Sequence, residues 1–112
     1  MECVGNYFAA TYKIGDIKRA DREAAMRLLT IQIAHEIGSE VRSVVSHKFD
    51  PQGVTAVAII AESHISVHTF PESGLLTVDV FCCNRSRDLS KIDGLICENF
   101  LVETYTSKVI DR

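Results

Sequence analysis

From His64 to Cys83 the side chains alternate with a period of two, interrupted once by Pro71-Glu72-Ser73-Gly74. Successive side chains of a strand point to opposite faces, so this pattern predicts two strands joined by a short turn. His64, Ser66, His68 and Phe70 share one face, and Ile65, Val67 and Thr69 the other. In the next strand Thr77, Asp79, Phe81 and Cys83 share a face, opposite Leu76, Val78, Val80 and Cys82. Each strand therefore has a greasy side for a core and a chemically mixed side. A solvated sheet face is commonly polar, but Lys, Glu and Thr serve that purpose. Two imidazoles, a carboxylate, a thiol and two aromatic rings point to a site.

The rest of the chain supplies the other elements. Cys3 to Tyr12 reads as a first strand, and Asp21 as the cap of a helix running to about Gly38. Met26, Leu29, Ile33 and Ile37 are that helix's buried stripe, and Gly38 is its stop. Val41 to Phe49 and Val54 to Glu62 are strands separated by the turn Asp50-Pro51-Gln52-Gly53. The second of these is almost wholly apolar, which suits a central strand covered on both faces. Asp88 or Ser86 caps a second helix with the stripe Leu89, Ile92, Ile96 and Phe100, and Val102 to Ile110 closes the sheet. The sum is an α+β two-layer sandwich: a mainly antiparallel sheet with two helices on one face, in one domain of 112 residues.

Charge and cysteine usage narrow the function. Twelve basic against 15 acidic residues give a net charge of -3, which disfavours a nucleic-acid partner. The longest apolar run, Ala56 to Ala61, is too short for a membrane span. No secretory signal opens the chain, and Cys82 and Cys83 are neighbours, so the four cysteines are expected as reduced thiols in the cytoplasm. Metal is not expected. His64 and His68 are about 13 Å apart along a strand, and Ser66 between them is a poor zinc ligand. Cys82 falls on the greasy side as a small hydrophobe. Cys83 falls beside Asp79 and His68, where a thiol can exchange protons. A Cys–His hydrolase built on Cys83 and His68 lacks an oxyanion hole. Cys3 and Cys97 have no functional context.

The segment Ala61-Glu62-Ser63-His64-Ile65-Ser66-Val67-His68-Thr69-Phe70-Pro71-Glu72 closely resembles the signature of the prokaryotic S-adenosylmethionine decarboxylase proenzymes. That signature reads Ala/Ser-Glu-Ser-His-x-x-x-His-Thr, then an aromatic, then Pro-Glu. The likeness extends to Phe49-Asp50-Pro51-Gln52-Gly53-Val54-Thr55 and Asp79-Val80-Phe81-Cys82-Cys83, and is weakest after Asn84.

The resemblance implies a zymogen that cleaves itself between Glu62 and Ser63. The products would be a β chain, Met1 to Glu62, and an α chain from residue 63 to Arg112, whose first residue becomes a covalent pyruvoyl cofactor. His68 would assist proton transfer in processing, and Thr55 would support the ester intermediate. The pyruvoyl ketone would form a Schiff base with the substrate amine, and Cys83 would donate the proton after carbon dioxide leaves. Phe49 and Phe70 would sandwich adenine, and Glu72 would sit near the ribose. The implied role is decarboxylation of S-adenosylmethionine for spermidine and other polyamines, by a homodimer of processed units. A strand-junction Ser beside a base is also a sound nucleophile on residue chemistry alone.

The chain departs from the family pattern at Gly5-Asn6-Tyr7, at Asn84 and at Arg85-Ser86-Arg87-Asp88. None of these touches Glu62, Ser63, His68 or Cys83, but they leave L-ornithine or L-arginine as alternative substrates. An uncleaved homologue that only binds a partner is a further alternative, against which the intact catalytic set argues.

Overall fold

Residues 4–112 are described in a computed structural model. The elements run β1 (Asn6–Ile14), α1 (Ile17–Ala20), α2 (Glu23–Glu36), β2 (Glu40–Lys48), β3 (Val54–Ala61), β4 (Ser63–Phe70), β5 (Leu75–Cys82), α3 (Lys91–Asn99) and β6 (Val102–Asp111). The strands form one antiparallel sheet in the order β2-β3-β4-β5-β1-β6. The β4–β5 pairing is the one that the alternation predicts, with Ser66 opposite Asp79 and His68 opposite Thr77. Among the described residues, no helix is long and apolar enough to cross a membrane.

One sheet face is buried under the helices. Phe8, Tyr12, Ala58, Ile65, Val67 and Val78 lie on it, all but excluded from water. Met26, Leu29, Ile33 and Ile37 of the α2 stripe meet them, as do Leu89, Ile92, Ile96 and Phe100 around α3. Gly38, at φ 75°, ends the α2 turn as expected. Deleting any one of the larger of these side chains leaves a cavity costing roughly 2–5 kcal/mol.

Several local expectations are corrected. The first strand begins at Asn6, and Cys3 lies outside the described residues. Asp21 is not the cap of the long helix. It ends an additional short helix, α1, and Arg22 precedes α2 without a side-chain cap. The Asp21 carboxylate instead reaches the β2–β3 turn, where it accepts the Gly53 N–H at 2.7 Å and pairs with Lys48 at 3.1 Å. That N–H, and then the Lys48 ammonium, hold its carboxyl below the usual range. The resulting stabilisation is complete above the ordinary value of 3.8 and is lost as pH falls through the lowered one.

Neither Asp88 nor Ser86 caps α3. Ser90 occupies that position, and Asp88 accepts its N–H and hydroxyl in a local turn. β3 is covered on one face only. Val54, Ala56, Ala58 and Ile60 are buried, whereas Ile59 on the other face is 53% exposed. The greasy composition of this strand therefore meets the helices on one side and an open sheet face on the other.

Candidate active site

The open face is organised in rows that cross the sheet. Thr55, His68, Thr77 and Thr11 form one row across β3, β4, β5 and β1. Val57, Ser66, Asp79 and Ala9 form the next, and Ile59, His64, Phe81 and Tyr7 a third. Tyr7 donates its hydroxyl to Asp79 Oδ1 at 2.8 Å, a bond that raises the phenol pKa. The Arg112 guanidinium lies over the Phe81 and Tyr7 rings, 4.8 and 5.6 Å from their centroids. Next to this cluster the small side chain of Ala9 leaves a hollow of about 590 Å³, which none of the expected site residues except Asp79 borders.

The expected residues fall into two groups at opposite ends of β4. At one end Thr55 Oγ1 lies 2.9 Å from His68 Nδ1. Both line a cavity of about 290 Å³ together with Phe49, Gln52, Gly53, Phe70 and Glu72. Phe49 and Phe70 are 48% and 46% exposed, rings presented to the opening instead of the core. Gln52 Nε2 donates to Glu72 Oε2 at 3.3 Å and ties the two sides of the cavity together.

At the other end the chain turns sharply between β3 and β4, through Glu62. Ser63 has φ 114°, a region in which a side-chain-bearing residue is strained by roughly 1–3 kcal/mol. Glu62 is exposed and Ser63 part-buried. The Cys83 N–H points at the Glu62 carbonyl oxygen, 3.5 Å away. Cys83 is part-buried and carries a free thiol, while Cys82 is 1% exposed in the core, as its parity requires. Cys97 is exposed on α3.

One expected juxtaposition is overturned. Ser63 and His68 are five positions apart on a single strand, about 16 Å at roughly 3.3 Å per residue. Cys83 pairs near Glu62 while His68 pairs with Thr77, six positions away on the neighbouring strand. Within one chain, His68 touches neither Ser63 nor Cys83, so a single chain holds no Cys83–His68 hydrolase pair. His68 and Cys83 share a face by parity, but parity says nothing about separation along the strand; Ser63, in register with Ile60 and Cys82, does not share that face.

Comparisons with known proteins bear on what this arrangement is. A family model described as S-adenosylmethionine decarboxylase matches residues 8–112. The chain belongs to the S-adenosylmethionine decarboxylase family. It is 42% identical to an S-adenosylmethionine decarboxylase proenzyme of Prochlorococcus marinus, over 84% of this chain and 77% of the relative. A second proenzyme of that name, from Caldicellulosiruptor saccharolyticus, is 33% identical over the whole chain and 90% of the relative. The crystal structure of the adenosylmethionine decarboxylase from Aquifex aeolicus superposes with a TM-score of 0.87 at 29% identity, covering 100% of this chain and 92% of that one. The Glu62–Ser63 turn and the cavity are thus features of a decarboxylase-family fold.

Three residues contribute to the site without a role that the sequence reading assigns them there. Gln52 and Gly53 belong to the cavity wall, although the Asp-Pro-Gln-Gly segment signals only a turn. Gly5 is the third. A Cβ there would collide with the Cys82 carbonyl oxygen and lie 2.9 Å from Cys83 Cα, both backbone atoms. Gly5→Ala is therefore expected to push Cys82–Cys83 off the Glu62–Ser63 turn and, on the self-cleavage that the resemblance implies, to slow fragment formation by about tenfold, since small misplacements cost rate steeply. A time course of fragment formation on denaturing gels measures it, and a wild-type rate would show that the turn does not depend on this contact.

Proposed function

We propose that this chain is a proenzyme that cuts itself between Glu62 and Ser63 and then decarboxylates S-adenosylmethionine in polyamine synthesis. The observation that carries the reading is the strained Ser63 at the β3–β4 turn, with the Glu62 carbonyl facing the Cys83 N–H. Ser63 Oγ attacks the Glu62 carbonyl carbon; the C–O bond forms, the Glu62–Ser63 amide C–N bond breaks, and the amine is freed. The Cys83 N–H stands where the carbonyl oxygen gains negative charge, and release of the strain favours the exchange. Loss of the residue 63 Cα proton expels the Glu62 carboxylate from Cβ. Water then replaces the resulting enamine nitrogen, which leaves as ammonia, with no net oxidation. The free thiol and part-buried turn fit the pyruvoyl group that remains.

That group, once formed, supplies an electron sink for the pair released with carbon dioxide. The chain's own residues do the rest. Phe49 and Phe70 offer two aromatic faces for adenine, and Glu72 offers a carboxylate to the ribose hydroxyls. Cys83 Sγ returns a proton to the substrate α-carbon, and His68, held at its Nδ1 by Thr55, moves the proton in processing.

The distance between the two ends of β4 calls for two copies. In a two-fold dimer with sheets face to face, the His68 cavity of one protomer meets the Ser63 turn of the other. Val45 at 62% and Ile59 at 53% exposure supply apolar surface on that face. Denaturing mass analysis tests the cleavage: two fragments are expected from the wild type, and an intact 12.4 kDa chain would sink the reading. Co-expression tests the shared site. His68→Ala alone should stay uncleaved, and a Ser63→Ala partner should restore its cleavage by lending His68. A His68→Ala chain that stays intact beside that partner would rule out sites shared between copies. Assays with S-adenosylmethionine, L-ornithine and L-arginine decide the substrate, with turnover expected for the first.

A further inference from the structure

We infer that Asp21 is a positioning residue for the substrate cavity, holding from the helix layer the turn that presents Phe49 and Gln52. The inference rests on the decarboxylase reading and extends it to a residue outside the cavity. Phe49 is half exposed, and the His47 ring meets it edge-on at 4.6 Å. Its place is set by the turn, which closes through Phe49 N–H to Gly53 O at 2.8 Å. Gly53 is in turn clamped from two sides. On one, its N–H is accepted by Asp21 Oδ1 at 2.7 Å. On the other, a Cβ at Gly53 would lie 3.2 Å from the Thr69 carbonyl oxygen, at a φ of 104° that disfavours any side chain.

Asp21 is well placed to act as the clamp. Its own N–H bonds back to the Ile17 and Lys18 carbonyls of α1, so its backbone is anchored before α2 begins. The same carboxylate oxygen holds Lys48 Nζ at 3.1 Å, and Lys48 also donates to Phe49 O at 3.2 Å. Both flanks of the turn thus converge on one carboxylate, through charge-assisted bonds stronger than neutral ones. Remove it, and the turn keeps its internal bond but loses its link to the helices. The wall of the cavity that carries Phe49 and Gln52 would then be in place only part of the time, which weakens substrate binding by the fraction lost. Cleavage should proceed, because Thr55 and His68 are held opposite each other by the β3–β4 pairing and not by this turn.

The test uses Asp21→Ala and Asp21→Asn, the latter keeping an oxygen acceptor without the charge. In the cleaved enzyme, Asp21→Ala should raise KM for S-adenosylmethionine about tenfold with kcat within about twofold, and fragment formation should match wild type. Asp21→Asn should fall between. In the uncleavable Ser63→Ala background, calorimetry with adenosine should show the same order of affinities. Unchanged KM and adenosine affinity in Asp21→Ala would overturn the inference while leaving the decarboxylase reading intact. So would a fall in kcat at constant KM, or loss of cleavage in both variants. Should Asp21→Ala not fold, Asp21→Asn decides alone, a wild-type KM counting against the clamp. If the wild type turned nothing over but bound adenosine with this same dependence, the decarboxylase reading would fall and the clamp would stand.

Discussion

A Ser63→Ala chain is expected to remain one 12.4 kDa species, with no decarboxylase activity at all, where the wild type is expected to separate into two fragments. The effect is total because, in the maturation proposed here, the hydroxyl has two consecutive roles. It is the nucleophile that exchanges the Glu62–Ser63 amide for an ester, and its oxygen is the atom later expelled from Cβ. Alanine offers neither, and no ketone can form at residue 63. Other losses at the site are graded. Without Thr55 the His68 ring keeps its place on β4 but loses its 2.9 Å partner, so processing should slow without stopping. Ser63→Ala should fold normally, since alanine brings the same Cβ to the φ 114° position and removes only one oxygen from a part-buried residue. Intact mass, circular dichroism and a carbon dioxide release assay on the purified variant make the check. Two fragments at wild-type mass from the alanine variant would mean that another residue supplies the nucleophile.

Face assignments were legible in the residues because the pleat sets them rigidly. Knowing only that Ile65 and Val67 are apolar and His64 and His68 are not is enough to orient β4, and the same parity separates Cys82 from Cys83. The α2 stripe is readable for the same reason, through a period of 3.6. Caps were not readable in this way. Asp21, Ser86 and Asp88 all have the chemistry of a helix N-cap, and nothing adjacent to Asp21 announces that its partner is Gly53, 32 positions away. A side chain with two uses is settled by tertiary contacts. The site was legible as a set of residues but not as a geometry. The spacing arithmetic that keeps His64 and His68 from sharing a metal applies equally to Ser63 and His68, and it splits the set into two halves. The apolar outer face of β3 belongs with this. Val57 and Ile59 look like residues of a strand covered twice, and a single chain covers it once; in the dimer proposed here the second cover is another copy.

Cys83→Ala is expected to separate maturation from catalysis. Cleavage should proceed, because the Cys83 contact with the Glu62 carbonyl is made by the backbone N–H, which alanine keeps. Turnover should fall by roughly 10²–10⁴-fold, the usual range for losing a positioned proton donor. The proton must then come from water, and some of it should arrive at the wrong carbon. Protonation at the former residue 63 carbon would leave the substrate nitrogen there as an amine, while water releases the decarboxylated substrate as an aldehyde; the ketone is lost and the enzyme inactivated. The progress curve of Cys83→Ala should therefore decay, with alanine appearing at the N-terminus of the 63–112 fragment by mass analysis. The adjacent cysteine is the internal control. Cys82 is 1% exposed with its sulfur in the core, so Cys82→Ala should lower the melting temperature while leaving kcat of the folded enzyme within about twofold. Equal loss of turnover in both variants would mean that the thiols act through packing alone. Full activity in Cys83→Ala would transfer the donor role to another group on the open face, with His68 of the facing copy the first to test.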